Sequence, residues 1–437
     1  MATAVRLRRV AASRLEGWWN LRYLRNLLGL IESLAAGEKQ VVVFRIGPRS
    51  LALVSEPAAA GAVLRAEPAG LAERGRFYRE IERVVGRSSL VAASGEQHAR
   101  LRSLLAPLFA GERIDAYVPA MAGCAVDMQA AWRDGETIDV GAEMSRLTLR
   151  IAGRALLALE IERDAAEILD LLEIGSKLFY RVLLPPRLSE LLWRQRWLPG
   201  NRRLARAQGR LDEAVRRIVD ERRMAGARGE DLLSALIRSP LGDEEIRDQV
   251  VTFLFAGHET TAQALTWAFH LLAENPGVET ELHRELDRSP SLDANDLPYA
   301  RAVVRETLRL YPPAWFLTRE TTAATVVAGT SVPTRTMVFV SPWTLHRDGR
   351  RWPEPERFRP ERWLGEERGS DAYLPFGRGR RNCIGGSFAT VEAITVLATV
   401  ARCWRLRPTE PGPAAPRATI TLRPRRPIRM RLERRVG

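Results

Sequence analysis

Most of the chain carries apolar residues at the three- and four-residue spacing of amphipathic helices. Two short β-rich runs come first, at 41–45 and 51–54, and the Gly47-Pro48 turn between them predicts a hairpin. After Pro312 the pattern changes to short strands and turns, then to one more apolar helix and a strand-rich tail. The predicted helices cover about 99–110, 113–132, 143–160, 164–180, 202–223, 243–274, 299–310 and 384–402. The pattern therefore predicts a mainly α fold with small β-sheets (α+β).

The composition is that of a globular protein. The 437 residues are 46% hydrophobic and 27% charged, which excludes a disordered or fibrous chain. Length alone would fit about three domains of roughly 150 residues each. No repeat, low-complexity segment or linker rich in Gly, Ser or Pro divides the sequence. We therefore expect residues 1–437 to form one domain.

The net charge of +14 comes almost entirely from arginine, since Lys39 and Lys177 are the only lysines. A basic chain can bind nucleic acid, an acidic membrane surface or an acidic protein. In the basic stretch 202–223, the apolar residues that share about one helical face are Leu204, Leu211, Val215 and Ile218. We expect the arginines there to lie on the solvated side, so no nucleic-acid partner is needed to explain them.

The three cysteines are Cys124, Cys383 and Cys403, and they form no CxxC pair. This pattern argues against a disulfide scaffold, a structural zinc site and a Cys-ligated iron–sulfur cluster. The N-terminal residues include no apolar run of signal-peptide length, because charged residues interrupt the segment. These features predict a cytoplasmic protein with no membrane span.

The densest chemical signal is Phe376-Gly-Arg-Gly-Arg-Arg-Asn-Cys383-Ile-Gly385, followed by an apolar helix. A glycine-rich loop lets the backbone pack close to a flat group, and a helix N-terminus favours the thiolate form of Cys383. The alternative for a lone cysteine is a buried structural residue. A phosphate loop is disfavoured, because Asn382 stands where its third glycine would be. The loop therefore predicts a thiolate ligand to a metal.

This loop resembles the cysteine signature Phe-x-x-Gly-x-x-x-Cys-x-Gly of the cytochrome P-450 superfamily, the haem-thiolate monooxygenases. The matching residues are Phe376, Gly379, Cys383 and Gly385. The resemblance covers at least residues 98–402 and implies haem b, with Cys383 as the axial ligand of its iron. It also implies the fold of that superfamily, a single domain centred on the haem.

A second match is Glu306-Thr-Leu-Arg309 on a helix that ends at Pro312-Pro313. By itself this spacing indicates a surface ion pair that contributes a few tenths of a kcal/mol, roughly. Pro355-Glu-Arg357-Phe follows about fifty residues later, where the family supplies a second arginine to the same glutamate. The resemblance implies that Glu306, Arg309 and Arg357 form a buried network that fixes the cysteine loop.

A third match is Ala256-Gly257-His-Glu259-Thr260-Thr261, midway along the longest apolar helix. Glycine, threonine and an acid are poor helix formers, so this run needs a reason. The zinc motif His-Glu-x-x-His fails, because Ala262 replaces its second histidine. The resemblance implies an oxygen-binding groove, with Ala256 and Gly257 beside the haem. Thr260 would bond back to a carbonyl or stabilise dioxygen, and Glu259 would act through water; an ordinary solvated glutamate is the alternative.

The haem propionates need cations or other donors from separate segments. The resemblance implies that these are His98, Arg102, Arg319 and Arg381. It also implies an apolar and aromatic substrate pocket, for which the sequence offers Phe77, Tyr78, Leu90, Phe253, Trp315, Phe316, Leu317 and Thr419. A terpenoid, polyketide, fatty-acyl or aromatic natural product would fit such a pocket.

The resulting hypothesis is a monooxygenase that inserts one atom of dioxygen into a hydrophobic small molecule, by hydroxylation or epoxidation, in secondary metabolism. The alternatives are a family member that catalyses coupling, desaturation or rearrangement without net oxygen insertion, and a haem-binding or gas-sensing protein without turnover. The sequence ends after the family's terminal strands, so we expect a separate ferredoxin or flavodoxin-type electron donor with its reductase. Arg378 and Arg380 beside the cysteine are candidates for docking it.

Overall fold

Helices make up most of the computed structural model, which describes residues 26–65, 70–72, 75–159, 174, 184, 186–195, 197–365, 371–410 and 412–435. The α-helices within these ranges are α1 Leu27–Ala35, α2 Pro57–Arg65, α3 Arg76–Val85, α4 Gly95–Leu105, α5 Gly111–Asp115, α6 Val118–Ala130, α7 Val140–Ile151, α8 Pro186–Arg194, α9 Pro199–Met224, α10 Leu232–Arg238, α11 Asp243–Glu274, α12 Pro276–Arg288, α13 Pro298–Leu310, α14 Pro342–Leu345 and α15 Gly386–Cys403. The mainly α fold with small sheets is confirmed.

The strands of the described residues form small sheets at the edges of the helical body. They are β1 Val41–Ile46, β2 Arg49–Val54, β3 Leu71–Ala72, β4 Thr137–Asp139, β5 Leu317–Thr321, β6 Thr325–Val327, β7 Thr330–Val332, β8 Met337–Val340, β9 Trp404–Pro408, β10 Pro416–Ala418, β11 Leu422–Pro424 and β12 Arg429–Arg434. The five-stranded sheet has the order β1-β2-β8-β5-β3, and a three-stranded sheet has the order β4-β12-β9. The hairpins β6-β7 and β10-β11 stand apart from both.

Most of the elements predicted from the hydrophobic pattern are present. The Gly47-Pro48 turn joins β1 and β2 as an antiparallel hairpin, with Ile46 opposite Arg49. The helix predicted over 143–160 ends in a wider π turn, Ala152–Leu157, before Ala158 takes a left-handed conformation at φ 49°. The helix predicted over 164–180 lies outside the described residues, apart from position 174.

The basic helix α9 confirms its amphipathic interpretation. The predicted apolar face is buried, with Leu204, Leu211, Val215 and Ile218 all among its core residues. The charged side chains lie on the opposite face, where Arg223 pairs with Asp243 at 2.5 Å. The arginines of α9 are thus explained by solvation and surface ion pairs.

The long helix α11 runs through the centre of the fold and packs against α7, α13 and α15. Three acids in its first turn complement the positive end of the helix dipole, and Glu245 also accepts a hydrogen bond from the Gly242 N–H at 3.2 Å. The last third of α11 is buried on every side, and Trp267 stacks on Tyr311 with 3.9 Å between ring centroids. This burial makes α11 a rigid wall for whatever lies beside it.

Helix α15 is the one described helix that is long and apolar enough to cross a membrane by length and composition. Its 18-residue window is 67% buried inside the fold. It packs against α6, α11, α12 and α13, so it is a core helix of the protein. The cysteine loop leads directly into its N-terminus.

A buried carboxylate joins α13 to the loop that follows α14. Glu306 and Arg309 are both fully buried and form two parallel hydrogen bonds of 2.9 Å. The same carboxylate accepts from Arg362 Nε at 2.9 Å, from the Trp363 indole at 2.8 Å and from the Arg359 backbone N–H at 3.0 Å. Every charge in this group is therefore paired and hydrogen-bonded, as a buried ion requires.

The assignment of Arg357 to this network is wrong. Its side chain is 66% exposed and pairs with Glu354 at 2.9 Å, and it contributes to the network through its carbonyl oxygen, which accepts from Arg309 at 3.1 Å. The 3-10 turn Pro360–Trp363 instead carries Arg362 back to the glutamate. Both arginines sit in a Pro-Glu-Arg-aromatic tetrapeptide, so the motif alone could not distinguish them.

The network reaches the cysteine loop through His346. Arg309 donates to the His346 carbonyl at 2.8 Å, and the imidazole Nε2 accepts from the Leu374 backbone N–H at 2.8 Å. Burial and the nearby Arg309 cation lower the pKa of His346 to about 3, so the ring is neutral and can accept that bond. Leu374 lies two residues before Phe376, where the loop begins.

Replacing Arg362 with alanine should destabilise the protein by about 3 to 5 kcal/mol, because Glu306 would lose a buried cation partner. The matched control is Arg357→Ala, which should change stability by no more than about 0.5 kcal/mol, since its side chain is largely solvated. Thermal unfolding and the yield of folded protein measure both effects. Equal losses in the two variants would contradict the reassignment.

Candidate active site

The cysteine loop is held by its own backbone and by neighbouring elements. The Cys383 N–H donates to the Phe376 carbonyl at 2.9 Å, which closes the loop. Gly379 has a φ of +73°, and a Cβ there would lie 2.5 Å from the Leu64 carbonyl oxygen, so only glycine fits. Arg102 of α4 donates to the Asn382 carbonyl at 2.8 Å. These contacts fix the residue that carries the thiol.

Two cavities meet at Cys383. One of about 190 Å³ is also lined by Phe376, Arg381 and Thr260. The other, of about 160 Å³, shares Cys383, Arg381 and Thr260 with the first. It is further lined by His98, Arg102, Ala256, Gly257 and Gly385. Eight of the nine residues predicted to bind the cofactor therefore lie around one space between α11 and the cysteine loop.

The exception is Arg319 on β5, which is not among the residues lining these cavities. It is buried, and its guanidinium donates to the Thr318 carbonyl at 2.9 Å and to the Leu64 carbonyl at 3.4 Å. Arg381 bonds to the Ala93 carbonyl at 2.7 Å but also lines both cavities. The structure thus brings Arg102 and Arg381 to the space, but not Arg319.

The donor set of this space fits haem b. Its walls are mainly apolar, as a porphyrin face requires. Arg102 and Arg381 supply cations suited to the two propionate groups of a haem. Cys383 supplies the one thiol among the described residues that line the two cavities. Burial raises the pKa of its Sγ, while the Gly385 N–H and the Arg102 charge act to lower it.

On the other side of the space, α11 presents the predicted groove. The Thr260 hydroxyl donates to the Ala256 carbonyl at 2.8 Å, and the Thr261 hydroxyl donates to the Gly257 carbonyl at 3.1 Å. A Cβ on Gly257 would have its nearest neighbour, Ala152, at 3.9 Å, so the glycine widens the groove without being forced by a clash. These bonds to the preceding turn explain how two threonines are accommodated within a helix.

Glu259 is buried rather than solvated, which excludes the alternative interpretation of an ordinary surface glutamate. One of its carboxylate oxygens accepts from the Thr421 hydroxyl and from Arg423 Nε, each at 2.7 Å. Thr421 and Arg423 belong to the hairpin β10-β11, more than 160 residues away along the chain. Sequence reasoning missed both, because no local motif connects them to Glu259.

A second missed residue is Glu392, which is buried on α15 at 1% exposure. Burial raises the pKa of its carboxyl well above the ordinary value, although a hydrogen bond with Thr261 acts in the opposite direction. Its Oε2 atom has no hydrogen-bond partner among the residues that the structure describes. Glu392 therefore places a buried carboxyl group, with a raised pKa, behind the groove of α11.

A third cavity, of about 350 Å³, adjoins Thr260 and lies between α3, α11 and the segment before β5. Of the predicted pocket residues, those that line it are Phe77, Tyr78, Phe316 and Leu317. Leu90 and Phe253 line the 160 Å³ cavity instead. The walls that sequence reasoning missed include Glu80, Val84, Trp193, Phe255, Ile420 and Thr421.

Two predicted pocket residues are not in the lining. Trp315 is 1% exposed and donates from its indole nitrogen to the Thr419 carbonyl at 2.8 Å, so it belongs to the core beneath the cavity. The Thr419 hydroxyl is turned to the Thr421 carbonyl at 2.8 Å. The next residues of that turn, Ile420 and Thr421, reach the cavity in its place.

Comparisons with known proteins agree with this geometry. The family model described as cytochrome P-450 matches residues 19–431. The cyclooctat-9-en-7-ol 5-monooxygenase of Streptomyces melanosporofaciens is 38% identical, over 88% of this chain and 86% of that protein. The pentalenene oxygenase of Streptomyces avermitilis is 32% identical, over 94% of each chain.

Solved structures show the same fold. A crystal structure of a cytochrome P-450 from Thermus thermophilus superimposes with a TM-score of 0.76 at 28% identity, covering 96% of this chain and 98% of that one. A second P-450 from the same species, described as six-coordinated, gives a TM-score of 0.68 at 31% identity over 88% and 92% of the two chains. With a family match along nearly its whole length, this chain belongs to the cytochrome P-450 family and is a haem monooxygenase of secondary metabolism, with haem b as its cofactor.

Proposed function

We propose that this enzyme hydroxylates a polycyclic terpene. The observation that carries the proposal is the 350 Å³ cavity beside Thr260, whose walls are mostly aliphatic and aromatic. Its volume is within the usual range for small-molecule sites, roughly 300 to 1,000 Å³. The names of two relatives refer to a cyclic terpene alcohol and to the terpene pentalenene.

Cys383 is proposed as the axial thiolate, with Phe376 and Gly385 shaping the loop around it. Arg102, Arg381 and His98, which line the 160 Å³ cavity, are proposed to hold the propionates. Bound haem supplies the activation of dioxygen and the transfer of one oxygen atom. The protein's own part is to hold the cofactor, to exclude water with apolar walls and to position the substrate over it.

Thr260 and Glu259 are proposed to manage protons. The Thr260 hydroxyl lines all three cavities, so it can hold a proton at Oγ1 where the substrate and haem spaces meet. Glu259 is the next residue, and its carboxylate is fixed by Thr421 and Arg423. A carboxylate fixed on one oxygen keeps its second oxygen available for water.

The electrons come from a separate redox partner, and we propose a ferredoxin or flavodoxin-type protein with its reductase, acting on a single-domain enzyme in the cytoplasm. Arg380 in the cysteine loop is exposed, and Arg378 pairs at 3.0 Å with Asp371, which is 81% exposed. A basic surface next to the haem ligand suits an acidic carrier, because charge speeds weak and transient encounters.

The substrate class is tested by incubating the purified enzyme with pentalenene and with cyclooctat-9-en-7-ol in the presence of dioxygen and a ferredoxin system. We expect a product with one added oxygen atom from at least one of them, detected by mass spectrometry. Loss of two hydrogens without added oxygen would favour desaturation. Turnover of a fatty acid or polyketide, but of neither terpene, would contradict the proposal.

Cys383→Ser should abolish the red-shifted Soret band that thiolate-ligated haem gives when it is reduced under carbon monoxide. The motif surrounds Cys383 alone, and Cys124 is buried in the core without lining these cavities. Cys124→Ala and Cys403→Ala are therefore matched controls that should keep the band. Absorption spectra of the three variants measure this, and a band that survives without Cys383 would refute the assignment.

Thr260→Ala should uncouple reductant use from product formation, because the hydroxyl that holds the proton is lost. We expect reductant oxidation to continue, with less hydroxylated product and more hydrogen peroxide in solution. Thr266→Ala is the control, since Thr266 makes the same bond to the preceding turn, at 2.7 Å, but is buried away from the cavities. Unchanged coupling in Thr260→Ala would show that protons take another route.

Arg380→Glu should slow electron transfer from an acidic carrier several-fold at low salt, and the difference should shrink as ionic strength rises. Arg133→Glu is a control at the far end of α15, a helix of roughly 27 Å. Arg133 follows Trp132, which packs on Trp404 just after that helix. Stopped-flow reduction measures the rates, and peroxide-driven turnover should stay intact. Equal effects at the two positions would argue against docking on the cysteine face.

A further inference from the structure

Among the described residues that line the 350 Å³ cavity, hydrogen-bond acceptors predominate, and apart from the Tyr78 hydroxyl the side-chain donors are committed within the protein. Thr252 and Thr260 each donate to the carbonyl four residues earlier, at 2.6 Å and 2.8 Å, and Thr421 donates to Glu259 at 2.7 Å. A threonine hydroxyl has one hydrogen to give, so these groups keep only lone pairs for a ligand. The indole N–H of Trp193, another wall residue, is likewise committed to a carboxylate.

That carboxylate is Glu80 of α3, which lines the cavity with its side chain 17% exposed. One of its oxygens accepts from the Ser189 hydroxyl at 3.0 Å and the other from Trp193, both on α8. Arg83 approaches to 3.4 Å. Trp193 and Arg83 both approach the same carboxylate oxygen, so the other oxygen, which accepts only from Ser189, keeps capacity for one more hydrogen bond.

A carboxylate is an unusual group among apolar walls, because partial desolvation is unfavourable for a charge. Its contacts with α8 alone could be made by a neutral acceptor. Glu80 and Glu259 each have an arginine partner, Arg83 at 3.4 Å and Arg423 at 2.7 Å, so these carboxylates act in the cavity as hydrogen-bond acceptors rather than as a net negative charge. A ligand that brings its own O–H donor is the natural complement of these acceptors.

Resting on the terpene substrate proposed above, we infer that Glu80 accepts a hydrogen bond from a hydroxyl group already present on the substrate. The substrate is then a polycyclic terpene alcohol rather than a hydrocarbon. The preceding reaction must be one that installs the hydroxyl: a cyclisation whose final carbocation is captured by water with loss of a proton, or an earlier hydroxylation.

The test compares cyclooctat-9-en-7-ol with the same hydrocarbon skeleton lacking the 7-hydroxyl group. Both are titrated into the haem-loaded enzyme, and their dissociation constants are read from the change in the haem absorption spectrum. The wild type should bind the alcohol about tenfold more tightly or better, as is typical of a hydrogen bond to a charged group. Glu80→Ala should remove most of that preference while leaving hydrocarbon binding within about threefold.

Ser189→Ala is the matched control. It removes a bond between α8 and Glu80 but leaves the carboxylate in the cavity, so the preference for the alcohol should survive. Glu80→Gln, which keeps the shape and one acceptor oxygen, should retain part of the preference. If Glu80→Ala does not load haem, Glu80→Gln is measured in its place, and its preference for the alcohol should be smaller than that of the wild type.

The inference is overturned if the wild type binds the two compounds equally. It also falls if Glu80→Ala weakens both equally and Ser189→Ala does the same, because the carboxylate would then serve only to hold α8. If the wild type binds neither compound, the proposed terpene substrate is itself wrong, and the inference fails with it. Binding of both compounds without a preference leaves the proposed function standing.

Discussion

The buried carboxylate of Glu306 is the interaction on which the site depends. Because Glu306 is fully buried, the protein must satisfy its lone pairs, and the donors are Arg309 on the same helix and a segment more than fifty residues away that carries Arg362 and Trp363. Meeting that requirement fixes α13 against the turn that carries Arg362 and, through Arg309 and His346, against the loop ending at Cys383. The hydrogen-bonding requirements of one buried carboxylate thereby help to fix the position of the Cys383 sulfur atom.

The sequence predicted those parts of the site whose residues lie close together along the chain. Three features could be predicted because each needs particular residue types at short spacing: the cysteine loop, the groove of α11 and the pair Glu306-Arg309. The long helices were readable for the same reason, since helical periodicity is local. The amphipathic face of α9 shows how well burial follows from such a pattern.

The sequence could not show which of two nearby arginines contacts Glu306, because the answer depends on where the chain turns. Arg357 and Arg362 have the same local context, and a short 3-10 turn determines which one reaches the buried acid. Trp315 was expected at the pocket because it is aromatic, yet its indole is bonded to a carbonyl beneath the cavity. The hydrogen-bond partners of Glu259 could not be predicted from the sequence, since they lie on a hairpin that is distant along the chain.

That hairpin, β10-β11, joins two properties of the enzyme in a few residues. Thr421, in the turn before β11, and Arg423, within that strand, both contact Glu259, while Leu422 between them is buried in the core. The turn also adds Ile420 to the lining of the 350 Å³ cavity. Exchange of this hairpin for another sequence would therefore change the shape of the cavity and the setting of Glu259 together, which would couple the substrate selectivity and the proton management proposed above.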